Sequence, residues 1–226
     1  LVYKNELGFN VGAISPDGRF IALNKTHSNR DSDFYLLDTL KRTGKPTLLS
    51  RHEQPAQYSA WDFSVDGKSL FYATNAKGEF RQLWRYDLST GEHSLALADD
   101  WDISFMRFSE SGRYQVRGVN ADASTMVSIM DTSTNTQLSL PTNLPQGTLS
   151  GVEFSKDEKT MSFYLSSDTS PRNLYVWEIG SNKAKRLTST LSDEIDENDL
   201  VESQIVRFKS FDGLTIPGVL YKPKQA

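Results

Sequence analysis

Few residues in this chain could do chemistry. There are three histidines, His27, His52 and His93, and no cysteine, so disulfides and thiolate metal sites are excluded. His52-Glu53 begins like the H-E-x-x-H helix of zinc peptidases, where two imidazoles one turn apart hold the metal. The second ligand is missing, because position 56 is Ala56, and His52 reads as a loop residue. Gly67-Lys68-Ser69 imitates the end of a phosphate-binding loop. That loop needs a glycine where Asp62 stands and a helix where a strand pattern follows, so the tripeptide reads as a hairpin turn. Asp193, Glu194, Asp196, Glu197, Asp199 and Glu202 crowd together before Arg207. They read as a solvated linker, with a cation site as the weaker alternative, since the calcium-loop spacing and its sixth-position glycine are absent. Trp61, Trp84, Trp101 and Trp177 could form an aromatic platform, but packing between sheets is the simpler reading. Trp101, in the polar stretch ADDWDIS, is the best surface candidate. No residue is assigned a catalytic, cofactor-binding or metal-binding role.

The elements that would position these residues form a repeat. A turn-like tetrapeptide recurs at Ser15-Pro-Asp-Gly, Ser64-Val-Asp-Gly, Ser109-Glu-Ser-Gly and Ser155-Lys-Asp-Glu. The period lies in the range of about 40–50 residues shared by propeller blades and helical-pair repeats. A large apolar residue precedes each serine (Ile14, Phe63, Phe108, Phe154) and is expected to pack between neighbouring blades. A base follows each tetrapeptide: Arg19, Lys68, Arg113 and Lys159. A third apolar run ends in an acid each time, at Asp38, Asp87, Asp131 and Glu178. These acids are expected to hold turns by accepting backbone N–H groups, with ligand binding as the weaker alternative.

β-branched and aromatic residues cluster in runs of four to eight bounded by turn formers, and no useful window keeps a helical apolar period. Each unit therefore reads as four antiparallel strands, one β-propeller blade. In the turns, Pro16 presets φ, Asp17 bonds the backbone beyond it, and Gly18 accepts positive φ. The fourth repeat has Glu158 at the glycine position, so its turn is expected to differ. Four blades are counted, at about 11–54, 55–101, 102–146 and 147–190, and LVYKNEL at the start reads as the last strand of an earlier blade. Propellers close with 4–8 blades. An open arc would leave apolar faces exposed and prone to self-association. A fragment of a larger ring, of about seven blades, is the economical reading; a closed four-bladed ring and an assembly of arcs stay open.

Of 226 residues, 37% are hydrophobic and 11% aromatic, enough for a sizeable core. A net charge of −4 makes no case for nucleic acid or an anionic membrane surface. No apolar run approaches the roughly 18 residues of a membrane span. The first residues lack a signal peptide's basic and apolar regions, and the missing Met suggests an excised piece. The compartment stays open between cytoplasm and periplasm.

After Arg186 the pattern changes. An acidic linker is expected over 191–203, and 204–226 reads as two strands joined by a turn at Asp212-Gly213, with Pro217 favouring an edge. The sequence EIDENDLVESQIVRFKSFDGLTIPGVLYKP resembles the junction between propeller and hydrolase in the prolyl oligopeptidase family, above all its acylaminoacyl-peptidase and dipeptidyl-peptidase-like members. Phe208, Ser210, Asp212, Gly213, Ile216, Gly218, Leu220, Tyr221 and Pro223 carry the likeness, with a register slip around Phe211. The Ser-Pro-Asp-Gly blades are similar to that family's propeller and also to Tol-system propellers.

The resemblance implies a serine peptidase of short peptides, whose propeller limits access to a catalytic α/β-hydrolase domain. That domain carries a G-x-S-x-G nucleophile elbow, then Asp, then His. No G-x-S-x-G occurs here and no histidine follows His93, so no family catalytic residue carries over. The chain is expected to be a non-catalytic propeller truncated before the hydrolase, with no cofactor; the alternative is a stand-alone Tol-type or WD-type interaction scaffold.

Overall fold

A computed structural model describes residues 3–41 and 44–224. The chain divides into two compact units, residues 1–119 and 120–226. The described residues are all β apart from one short 3-10 turn at Glu197–Asp199. The first sheet contains β1 (Asn10–Ile14), β2 (Phe20–Ser28), β3 (Asp31–Asp38) and β4 (Thr47–Leu48); the second contains β5 (Tyr58–Phe63), β6 (Ser69–Thr74), β7 (Gln82–Asp87) and β8 (His93–Leu97). The third contains β9 (Asp102–Phe108), β10 (Tyr114–Ala121), β11 (Ser124–Asp131) and β12 (Thr136–Gln137); the fourth contains β13 (Thr148–Phe154), β14 (Thr160–Ser166), β15 (Asn173–Glu178) and β16 (Ala184–Arg186). In each sheet the strands lie in chain order. Four four-stranded antiparallel sheets are propeller blades. A separate hairpin pairs β17 (Ser203–Lys209) with β18 (Thr215–Tyr221). Of the opening LVYKNEL, residues 3–7 form no strand, and Leu1 and Val2 lie outside the described residues.

Each blade turns on its serine. The hydroxyls of Ser15, Ser64, Ser109 and Ser155 accept the amides of Phe20, Ser69, Tyr114 and Thr160 at 2.8–3.0 Å. In blades one, two and four the hydroxyl also donates to Asp17, Asp66 or Asp157 at 2.6–2.7 Å. Those carboxylates in turn accept the amides of Arg19, Lys68 and Lys159. With the serine hydroxyl as the leading cause, these bonds hold the three aspartates below the ordinary carboxylate range. In blade three Ser111 takes the aspartate's place and accepts the Arg113 amide.

The expectation of a different fourth turn is overturned. Glu158 adopts φ +53°, and its amide reaches the Ser155 carbonyl at 2.8 Å, as the amides of Gly18, Gly67 and Gly112 reach theirs. The Ser155–Asp157 network outweighs a left-handed penalty of about 1–2 kcal/mol for a residue with a Cβ.

In the first unit Phe34 of β3 stacks on Tyr72 of β6, with centroids 4.6 Å apart, beside Ala22, Ala60, Phe63 and Leu70. Full burial of such a side chain contributes roughly 1.5–3 kcal/mol. In the second unit Phe163 of β14 stacks on its cross-strand partner Tyr175 of β15 within the fourth sheet, and Trp177 is buried with its indole N–H donating to the Ser181 carbonyl at 2.8 Å. The apolar column before each serine is uneven. Phe63 is buried and Phe108 and Phe154 are half-buried, but Ile14 is 57% exposed.

Contacts between successive sheets run mainly through the first strand of the following sheet. β1–β2, β5–β6 and β13–β14 all slip register at a bulge, between Val11 and Ala13, Ala60 and Asp62, and Ser150 and Glu153. Bulges of this kind bend a strand and turn backbone groups out of the ladder. Asn24 uses those groups: its side chain accepts the Ala60 amide at 2.8 Å and donates to the Ala60 carbonyl at 3.0 Å, as a neighbouring strand would. Gly12 allows the approach, since a Cβ there would lie 2.6 Å from the Ala60 carbonyl oxygen.

Candidate functional site

The residues singled out in the sequence have structural partners. Gly67 turns the β5–β6 hairpin with φ +67°, and Ser69 begins a strand. Among the described residues no group of three His, Asp or Glu is placed to hold a metal ion. In the acidic stretch, Asp196 caps the single 3-10 turn by accepting the Asn198 amide.

The acid column divides. Asp38 accepts the Leu40 amide and pairs with Arg19 at 3.1 Å. Asp87 accepts the amides of Ser89 and Thr90, and with the Ser89 hydroxyl these bonds lower its carboxyl to about pKa 2. Asp131 accepts the Ser133 amide at 3.0 Å. Glu178 departs from the expectation: its backbone carbonyl takes the Ser181 amide, and its longer, exposed side chain is not what closes that turn.

Trp61, Trp84 and Trp101 form no shared platform. Trp84 packs on the Phe34–Tyr72 core and Trp61 on the Leu83–Ile103–Met106 cluster; Trp101 is 36% exposed and leans on Phe80 at 6.0 Å.

What the sequence reading missed lies in the second unit, where the terminal hairpin is anchored. Strand alternation puts Ser203, Ile205 and Arg207 on one face with their partners Tyr221, Val219 and Pro217. Asp168, in the β14–β15 connection, accepts the Ser203 amide at 2.9 Å and the Ser203 hydroxyl on one oxygen; its other oxygen accepts the Tyr221 hydroxyl at 2.6 Å. These bonds, with the Ser203 hydroxyl foremost, hold Asp168 below the ordinary carboxylate range, and the bond to Asp168 raises the Tyr221 phenol. Arg207 pairs with Asp122, which with Ala123 forms a left-handed pair at the β10–β11 turn. Between hairpin and blade runs an open cleft of about 650 Å³, lined by Asn120, Thr125, Gln146, Ser166 and Glu202 among others. Nothing in the loop SDTSPR marks Asp168, since its partners lie 35 and 53 residues away.

The opposite face of the hairpin is apolar and uncovered. Register sets Phe208 against Ile216, Val206 against Gly218 and Gln204 against Leu220. Phe208 is 55% exposed, Leu220 45% and Ile216 38%, with Phe211 and Leu214 fully or largely exposed at the tip. Pro217, which has no N–H to give, lies in β18, whose only partner strand among the described residues is β17.

No curated relative matches the chain. The family profile described as prolyl oligopeptidase, N-terminal β-propeller domain, matches residues 2–190. Among solved structures, prolyl oligopeptidase B from Galerina marginata bound to a 25mer macrocyclization substrate is similar at 18% identity and TM-score 0.73, covering 100% of this chain and 32% of that one. TolB from Acinetobacter baumannii is similar at 18% identity and TM-score 0.60, covering 81% of this chain and 44% of that one. The chain thus spans less than half the length of either.

Proposed function

We propose, from the premise that this chain belongs to the prolyl oligopeptidase N-terminal β-propeller family, that it is the non-catalytic, substrate-gating part of a serine peptidase acting on short peptides. In this reading residues 1–190 are propeller blades, 191–203 a linker, and 204–226 the opening strands of a hydrolase domain. The observation that carries it is the β17–β18 hairpin. It lies beyond the family match, is anchored by Asp168 on one face, and exposes Phe208, Ile216 and Leu220 on the other. An apolar sheet face of this kind needs a further layer, and a following domain would supply it.

A rigid propeller beside an active site restricts access by size and excludes water. Peptide hydrolysis would need an activated serine, a histidine base and backbone oxyanion donors, all from that following domain. The test is twofold. The 226-residue chain should show no turnover of short chromogenic peptides, and the parent reading frame should run on past Ala226 into about 250 residues carrying G-x-S-x-G. Turnover that a serine-directed inhibitor abolishes would contradict the first part. A stop codon after Ala226 would favour the second reading, an interaction scaffold, which the TolB likeness supports.

A further inference from the structure

His52, in the β4–β5 connection, has both ring nitrogens against acceptors. Nδ1 lies 2.5 Å from the Ser50 carbonyl oxygen and Nε2 2.9 Å from Asp31 Oδ1, with Asp33 Oδ1 3.6 Å from Nδ1. Carbonyls and ionised carboxylates only accept, and a neutral imidazole has a single N–H. Only the imidazolium satisfies both contacts; the neutral ring must set a lone pair against an oxygen.

The groups around the ring come from every element packed on it. From β3 come Asp31 and Asp33; from β2 comes His27, whose Nε2 is 2.9 Å from the other oxygen of Asp33. Ser50 Oγ donates to Asp33 at 2.6 Å. Arg51 lines the same cleft, and Arg30 lines a second one beside Asp31. From β5, the Tyr58 ring stacks on the imidazole at 5.2 Å. Tyr58 is itself tied to β3, its amide donating to Ser32 Oγ at 2.9 Å and its carbonyl accepting that hydroxyl at 2.8 Å.

We propose that His52 is a proton-operated clasp: as the imidazolium it pins the β4–β5 connection onto the β2–β3 end of the first sheet and against Tyr58 of the second, and loss of its proton releases that connection. The clasp concerns the first two sheets alone and is independent of any catalytic partner.

The direction of titration agrees. The Ser50 carbonyl first, and then Asp31, raise His52 above its ordinary 6.5 against the opposing effect of burial, and the His52 hydrogen bond lowers Asp31 below its ordinary 3.8. A raised histidine stabilises fully below 6.5, and this is lost as pH rises through its folded value; a lowered aspartate stabilises above 3.8, and this is lost as pH falls through its folded value. The clasp is therefore closed in the window between those values and opens above it. His93 works the other way. Burial lowers its pKa beside Tyr72 and Tyr86, so its contribution is present above 6.5 and is lost on acidification. Global unfolding mixes the two histidines, and a local readout is required.

The experiment is amide hydrogen exchange on the 226-residue chain from pH 5.5 to 8.5, corrected for intrinsic exchange, together with an NMR titration of the imidazoles. Protection over residues 49–57 should fall by about tenfold per unit of pKa elevation, with a midpoint that follows His52. His93→Gln should keep this step and His52→Gln should abolish it. Asp31→Asn should shift the His52 midpoint down, which tests the clasp even if His52→Gln folds poorly. A step that survives in His52→Gln, flat protection in the wild-type chain, or a His52 midpoint at or below 6.5 would overturn the proposal.

Discussion

The carboxylate of Asp62 in β5 accepts the amide of Phe108 in β9 at 2.8 Å, so one side chain joins the second sheet to the third. Its other oxygen accepts the Phe63 amide at 2.9 Å. The group is half-buried, and the loss of solvent raises its pKa despite those two donors.

Asp62→Ala should destabilise the chain by about 1–3 kcal/mol in urea unfolding, because two amides lose their acceptor. Asp62→Asn keeps one acceptor oxygen but turns its amide NH2 toward the other backbone N–H, so at pH 7 it should fall between wild type and Asp62→Ala. The sign for the wild type follows from the raised value: the aspartate's contribution is greatest below 3.8 and declines as pH rises through the folded pKa. Equal losses for Asn and Ala at pH 7 would contradict this account.

Two of the blade turns should respond unequally to the same substitution. Gly18 and Gly112 have φ of +69° and +78°. A Cβ at Gly18 meets nothing within 4 Å, whereas at Gly112 it would lie 2.6 Å from Val65 Cγ2. Gly18→Ala should cost about 1–2 kcal/mol of backbone strain and Gly112→Ala more. Val65→Ala in the Gly112→Ala background should recover the excess, as a double-mutant cycle would measure.

Removing the hairpin's anchor should loosen it. Asp168→Asn weakens three hydrogen bonds, each contributing on the order of 1 kcal/mol. Hydrogen exchange over residues 203–221 should then rise by a factor of five or more, while the buried strand β14 stays protected. In the wild type the same loosening should appear on acidification, because the lowered pKa of Asp168 makes its contribution present above 3.8 and lost as pH falls through the folded value. Unchanged exchange in the variant would show that the hairpin is held by other contacts.

Two tryptophans should part company on replacement by phenylalanine. Trp177 donates to the Ser181 carbonyl, while the buried Trp84 indole N–H has no hydrogen-bond partner among the described residues. Both substitutions remove similar volume, but only Trp177→Phe breaks a bond, so it should lose roughly 1–3 kcal/mol more than Trp84→Phe in chemical denaturation.

How much of this was legible in the sequence depended on reach. Ser15, Asp17, Gly18 and Arg19 lie within one turn of chain, and their hydrogen bonds close locally whatever surrounds them. Their recurrence therefore announced four-stranded blades, and the change of pattern after Arg186 announced a different element. Glu158 escaped because glycine was taken as a requirement, when the serine–aspartate network can hold a glutamate in the same left-handed state. Glu178 escaped because a column of acids hides the extra methylene that changes how a side chain reaches a backbone N–H.

The sequence alone therefore determined the β class, the repeat and the chemistry of its turns, because strand periodicity and turn formation act over a few residues. Tertiary structure decided which distant groups meet: Asn24 with Ala60, Asp62 with Phe108, His52 with Asp31, and Asp168 with Ser203 and Tyr221. Those pairings depend on bulges that turn backbone groups out of one sheet and on the stacking that carries another side chain to them. Neither leaves a periodic trace in the order of residues, so burial and charge at these sites follow from the packed fold.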